Sequence, residues 1–155
     1  KVYYPLAFYA TFFTMKIADF NAEVVLGGPN AVWEKMKEIG EKGKSASPKE
    51  TDELTVLEVV YEMYARGFEF SQVDLKESSA LKFTVKDGKI LLPFRAVAGV
   101  GDTAATNLAE ARDQGPFLSV DALRERAKLN KTAIEALEKM GALNGLPESN
   151  QLTLF

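Results

Sequence analysis

The chain has 155 residues, 46% of them hydrophobic, a net charge of −3, and neither cysteine nor histidine. That length buries a core for one or two small domains. The missing residue types exclude a disulfide frame, a Cys/His zinc site and a Ser-His-Asp or Cys-His nucleophilic site, and the acidic balance excludes a uniformly basic, nucleic-acid-coating protein.

Charge is unevenly spread. Residues 1–81 carry 9 basic and 13 acidic side chains, residues 82–131 carry 9 basic and 6 acidic, and residues 132–155 carry 1 basic and 3 acidic. The middle segment is therefore the electrostatic candidate for meeting phosphate. No uninterrupted apolar run approaches the roughly 18 residues of a spanning helix, so a cytoplasmic setting without membrane contact is expected.

In chain order, residues 2–13 (Val2-Tyr3-Tyr4-Pro5-Leu6-Ala7-Phe8-Tyr9-Ala10-Thr11-Phe12-Phe13) predict a helix apolar nearly all round. Such a helix wants burial on every face, which suggests a segment of a larger protein. Glu23-Val24-Val25-Leu26 reads as either a short strand or a helical turn, broken by Gly27-Gly28-Pro29. Val32, Met36 and Ile39 give an amphipathic helix over 31–42, followed by a polar loop. Ser47-Pro48-Lys49-Glu50 carries the cap, first-turn proline and third-position glutamate of a helix start. Its helix presents Leu54, Leu57, Val60, Tyr61 and Tyr64 and ends at Gly67. Phe68, Phe70, Val73 and Leu75 alternate as in extended chain. Residues 81–86 and 89–92 flank Asp87-Gly88, a β-hairpin signal. Helical patterning then resumes through Asn144, and a short polar tail follows.

The sharpest motif is Val97-Ala98-Gly99-Val100-Gly101-Asp102-Thr103-Ala104 and the helix after it, to Arg112. A short helical turn ending at Gly99, two glycines permitting a tight hairpin, and a helix capped by Asp102 or Thr103 would expose backbone amides to an anion. On this reading both glycines are needed, and Gly101→Val blocks the hairpin. The buried face of the helix is Ala105, Leu108 and either Ala111 or the stem of Arg112. A second helix pair follows. Ser119 caps 120–127, and Thr132 with Glu135 forms a possible capping box for the next helix. Arg124, Arg126, Lys128 and Lys131 lie between, and with Arg95 and Arg112 they complete the candidate phosphate-facing set.

The last five residues, Gln151-Leu152-Thr153-Leu154-Phe155, have the form of a peptide ligand. Leu152, Leu154 and Phe155 are apolar anchors worth about 1.5–3 kcal/mol each before ordering costs, and Gln151 supplies hydrogen bonds. An affinity on the order of micromolar follows. The nearest acidic pair, Asp52-Glu53, lies on a helix and makes no credible metal-dependent nucleotidyl-transfer site. A phosphate loop with Lys-Ser/Thr is missing. The chain itself thus has no recognisable active site, catalytic residue or metal ligand.

The segment Val97–Arg112 resembles the helix-hairpin-helix motif of DNA polymerases, ligases and repair nucleases, although Asp102 and Thr103 stand where many of those proteins carry lysine. The chain as a whole resembles the C-terminal region of the Gram-positive, PolC type of bacterial DNA polymerase III alpha subunit. The likeness rests on Tyr3-Tyr4-Pro5 through Phe13, Ser47–Glu50 with Leu54–Glu58, Gly67-Phe68, Val73–Leu75, Leu92-Pro93-Phe94, Gly99–Gly101 and Gln151–Phe155. It implies an α+β, mainly helical fold, a helical bundle with a small β-hairpin element and a C-terminal helix-hairpin-helix region. It implies three parts: 1–67 resembling the end of the polymerase fingers, 68–144 binding duplex DNA, and 145–155 a flexible tail. The site residues expected for DNA are Gly99, Val100, Gly101, Asp102, Thr103, Ala104, Arg95, Arg112, Arg124, Arg126, Lys128 and Lys131. Those expected for the sliding clamp are Gln151, Leu152, Leu154 and Phe155. The implied partners are primer–template duplex, the clamp and the remainder of the polymerase chain. No cofactor is implied in this segment, and Mg2+ is expected in the catalytic part of the parent. A module of a repair nuclease or ligase, and a protein-interaction scaffold without DNA, are the alternatives.

Overall fold

A computed structural model describes residues 4–148. The fold is α+β and mainly helical, with seven α-helices and one three-stranded sheet among the described residues. The chain divides into two compact units, the described parts of Lys1–Ser71 with Lys82–Leu91, and of Gln72–Leu81 with Leu92–Phe155.

The first unit holds α1 (Pro5–Met15), α2 (Ala22–Leu26), α3 (Pro29–Lys42), α4 (Pro48–Ala65) and all three strands. Pro5 and Pro29 sit in the first turns of α1 and α3, where a missing N–H costs nothing. The segment 23–26 is helical rather than extended, because Asn21 caps it by accepting from the Val24 amide at 3.2 Å. The start of α4 is the expected capping box: Ser47 Oγ accepts from the Glu50 amide at 3.1 Å, and the Ser47 amide donates to Glu50 Oε1 at 3.0 Å. Its end is a Schellman motif. Gly67 (φ +89°) turns the chain so that its amide reaches Tyr64 O at 2.9 Å and the Phe68 amide reaches Met63 O at 3.2 Å. The buried face of α4 is Val56, Leu57, Val60 and Met63. Leu54, Tyr61 and Tyr64 are only half-buried, so the stripe is rotated from the expected one.

Asp87 (φ +53°) and Gly88 (φ +76°) form the two-residue turn between β2 (Thr84–Lys86) and β3 (Lys89–Leu91), as the sequence indicates. β3 is central. It pairs antiparallel with β2 and parallel with β1 (Phe70–Ser71), with Phe70 opposite Ile90. The alternation at Val73 and Leu75 does not extend the strand. Asp74 Oδ1 accepts from the Lys76 amide at 2.7 Å and the Glu77 amide at 3.2 Å, folding this stretch into an Asx-type turn. Phe13, Phe20, Phe70 and Phe83 form the aromatic centre of the unit, Phe20 meeting Phe83 edge-on at 4.8 Å and Phe13 meeting Phe70 at 5.3 Å. Tyr9, fully buried, donates to Glu62 Oε1 at 2.8 Å and accepts from Arg66 Nη1 at 2.8 Å, joining α1 to α4.

The second unit holds α5 (Asp102–Asp113), α6 (Val120–Ala127) and α7 (Lys131–Lys139), entered through a 3-10 turn at Phe94–Ala96. Buried Ser78 donates to Leu92 O at 2.7 Å, and Ser79 O and Ala80 O each accept a backbone amide, from Phe94 and Arg95, at 3.0 Å. The segment 78–80 thus fixes the chain just before the hairpin. Pro147 O and Glu148 O accept from the Val120 and Asp121 amides at 2.8 and 3.0 Å, satisfying first-turn donors of α6.

Lys42 Nζ donates to the Glu50 carboxylate and, with the Ser47 amide, lowers its pKa to about 2 from an ordinary 4.5. A depressed carboxylate contributes stability that is fully present above its unfolded pKa and lost as pH falls through the folded one. The melting-temperature gap between the wild-type chain and Glu50→Gln is therefore expected to be constant above pH 4.5 and to close between pH 4.5 and about 2. Thermal melts across that range check it.

Candidate nucleic-acid interface

The hairpin starts where the 3-10 turn closes, with the Val100 amide donating to Val97 O at 3.0 Å. Val100 is 1% exposed and anchors the loop, while Ala98, Gly99, Gly101, Asp102 and Thr103 stand at the surface. Gly99 is bound to be glycine for two reasons. Its φ is +98°, and a Cβ there would lie 3.1 Å from Ala136 Cβ and 3.7 Å from Thr132 Cγ2, both on α7. Gly101 is different. Its φ of −83° and ψ of −176° are ordinary extended backbone, and a Cβ there would meet nothing within 4 Å. The expectation that Gly101→Val blocks the hairpin is therefore overturned, since valine fits this conformation.

Gly101 is the N-cap of α5, and no side chain caps the helix. Neither Asp102 nor Thr103 has the capping role expected of it. The Asp102 carboxylate is held instead by Arg95 Nε at 2.7 Å. The amides of Asp102, Thr103 and Ala104 have no acceptor among the described residues, as the first turn of an uncapped helix leaves them. With no Cβ on Gly101, the approach to these amides is open, and the dipole of α5 adds partial positive charge there.

The basic residues separate into two groups. Arg112 donates from Nη1 to Ser78 O and lies 5.7 Å from the Phe94 ring, its side chain 18% exposed. Arg126 donates to the carbonyls of Ala111, Gly115 and Pro116 and sits 4.6 Å from the Phe117 ring. Both brace the protein: Arg112 ties α5 to the 78–80 segment, and Arg126 ties α6 to the loop after α5. Arg124, Lys128 and Lys131 are exposed. Arg124 pairs with Asp121 at 3.1 Å on its own helix, a contact worth little in water. Lys128 and Lys131 have no acidic partner among the described residues.

The second helix pair holds a hairpin that the sequence does not advertise. Lys128 adopts φ +55°, as Gly99 adopts +98°. Leu129 is buried like Val100. Asn130 is the N-cap of α7 with φ −82° and ψ 173°, matching Gly101 within a few degrees in φ. The segments 99–102 and 128–131 thus share an order, a positive-φ residue, a buried aliphatic and an extended helix cap, although the buried residue's amide reaches Val97 O in the first and Arg124 O in the second. The difference is at the cap. Asn130 Oδ1 accepts from the Ala133 amide at 2.8 Å, so the expected Thr132–Glu135 box does not form. The missed signal was the spacing of Leu129, Asn130 and Leu137, which copies that of Val100, Gly101 and Leu108.

The expected clamp residues Gln151, Leu152, Leu154 and Phe155 lie outside the described residues. Glu53 Oε2 accepts from Asn21 Nδ2 at 2.9 Å, and no group of three or more Asp or Glu among the described residues is placed to hold a metal ion.

Residues 67–152 match the helix-hairpin-helix motif family. The chain belongs to the helix-hairpin-helix family. Over all 155 residues it is also 50% identical to the DNA polymerase III PolC-type of Caldanaerobacter subterraneus, 48% identical to that of Halalkalibacterium halodurans and 43% identical to that of Bacillus subtilis. The resemblance to PolC-type polymerases read from the sequence is thereby borne out. The chain spans 11% of the length of each of these relatives and so corresponds to one segment of a larger protein.

Gly99→Ala is expected to destabilise the second unit by about 1–3 kcal/mol through backbone strain and the 3.1 Å approach to Ala136, whereas Gly101→Ala stays within about 0.5 kcal/mol of wild type. Urea denaturation of the two variants measures both.

Proposed function

We propose that this chain is the duplex-holding, clamp-tethering part of a replicative DNA polymerase of the PolC type. The observation that carries the proposal is the uncapped N-terminus of α5, whose Asp102, Thr103 and Ala104 amides are left open behind Gly101. Backbone amides donating to phosphate oxygens read no base, so binding is independent of sequence. Membership of the helix-hairpin-helix family and the names of the relatives support duplex DNA as the ligand. Arg95 offsets the charge of Asp102 at the same helix end. Arg124, Lys128 and Lys131 supply the net positive charge, and Arg112 and Arg126 hold the frame. On this proposal residues 68–144 are the duplex-binding region, and residues 1–67 pack with the rest of the polymerase. The terminal Gln151-Leu152-Thr153-Leu154-Phe155 binds the sliding clamp. On this proposal nucleotidyl transfer with Mg2+ belongs to the remainder of a cytoplasmic polymerase.

Few phosphates are neutralised in such a site. With two or three, the slope of log affinity against log salt is about −2 to −3. Low-salt anisotropy titration of a labelled primer–template is expected to give weak binding with that slope. Lys128→Ala with Lys131→Ala should make the slope shallower by about 1–2. Gly101→Val should keep the fold yet weaken binding, on the proposal that a branched side chain at the helix cap hinders a phosphate approaching the amides. Equal binding by wild type and Gly101→Val would overturn the role of the first hairpin.

For the tail, Phe155→Ala is expected to weaken binding to a bacterial sliding clamp by about tenfold or more, as loss of one buried aromatic anchor implies, and to leave duplex binding unchanged. Surface-immobilised clamp titrated with both chains checks this. Unchanged clamp affinity would remove the tail from the proposal.

A further inference from the structure

The apolar helix at the start of the chain uses only one of its faces in the first unit. Tyr9, Ala10 and Phe13 of α1 are buried there. Tyr4, just before the helix, is 77% exposed, and on it Phe8 is 51% and Met15 72% exposed, with Thr11 also at the surface. Residues 4, 8, 11 and 15 are spaced four, three and four apart and so project from one side of a helix. No charged residue occurs from Tyr4 to Met15. The Phe8 ring is stacked on Phe12 at 6.5 Å. Beside the stripe lies a groove of about 280 Å³ lined by Ala10, Thr11, Thr14, Met15, Lys82 and Phe83.

A four-three-four stripe of three large hydrophobic residues and one threonine beside a groove is the surface into which the ridge of a second helix packs. Single exposed hydrophobics need no explanation, but an aligned, uncharged row does. We infer that the Tyr4–Phe8–Thr11–Met15 face of α1 is the seat of an apolar α-helix from the remaining part of a longer polypeptide. The occupant follows from two observations. The PolC-type relatives devote only 11% of their length to this segment, so most of each relative's chain lies outside it. A second copy of this chain is a poor alternative, because α1 has 11 residues and is roughly 16 Å long. Its stripe falls well short of the roughly 800 Å² per partner of a stable interface, whereas a covalently connected helix carries little of the association cost. The inference rests on the proposed membership of a larger polymerase and makes no use of DNA binding.

The test uses thiol footprinting, which the absence of cysteine makes clean on this chain. Phe8→Cys, Met15→Cys and, at an exposed position of α3, Lys37→Cys are made singly. Each is made both in the 155-residue chain and in the Bacillus subtilis relative with this chain in place of its matching segment. Maleimide labelling rates are read by peptide mass spectrometry. The expected result is slowing by at least tenfold at Phe8→Cys and Met15→Cys in the long polypeptide, with Lys37→Cys labelling alike in both. Equal rates in the two contexts would overturn the inference. So would protection in the short chain that grows with concentration, which would assign the face to a second copy. Loss of the salt-dependent DNA titration with this protection intact would remove the duplex proposal and leave the docking face standing.

Discussion

The second unit depends on the left-handed turn at Gly99. With φ at +98° and the position of a Cβ only 3.1 Å from Ala136, the chain reverses tightly enough for α5 to begin beside the first turns of α7. Val100 then falls into the core and Gly101 reaches the surface as an uncapped helix start. Any side chain at 99 would strain the backbone and push the hairpin off α7. The small residue at 136 and the glycine at 99 are two halves of one contact.

From that constraint the division of labour among the cations follows. A hairpin this tight has to be held at both ends, and arginine does the holding. Arg112 reaches the 78–80 segment, whose Ser79 and Ala80 carbonyls fix the turn before Gly99, and Arg126 gathers one carbonyl from the last turn of α5 and two from the loop after it. A planar guanidinium with several donors suits such carbonyl clusters, and stacking on Phe94 and Phe117 adds cation–π attraction. Lysine, a flexible point charge, is left for the surface at 128 and 131. Segment-wise charge counting could find the positive region but could not separate bracing arginines from exposed lysines, because that distinction is made by carbonyls far away in sequence.

Features encoded within four or five residues were legible. The Ser47–Glu50 box, the Asp87-Gly88 turn, the Gly67 stop and the Ser119 cap each rest on local chemistry. Where local signals compete, the sequence pattern and the structure part ways. Val73 and Leu75 alternate as a strand would, yet the Asp74 side chain offers the next amides an acceptor and the turn wins. Asp102 looked like a cap, but Arg95 takes its carboxylate and Gly101 is the residue with capping geometry. The second hairpin carries no glycine signature, because its left-handed residue is Lys128.

The two hairpins share a positive-φ residue, a buried aliphatic and an extended cap, and differ in chemistry at the cap and in the two lysines of the second. Gly101 offers nothing to its helix, so the first-turn amides of α5 remain available to an outside acceptor. Asn130 turns its own side chain onto the Ala133 amide and so occupies part of the corresponding site on α7. A phosphate at the first hairpin would be met by backbone donors, whose direction is fixed by the helix and whose strength falls little with salt over such short contacts. A phosphate at the second would be met mainly by Lys128 and Lys131, whose contribution is diffuse and screened over about 8–10 Å at ordinary ionic strength. On the proposed function, the first hairpin sets where the duplex backbone sits and the second adds attraction without fixing register. That combination suits a surface past which DNA must move during synthesis, since a single directional contact is readily broken and remade at the next phosphate.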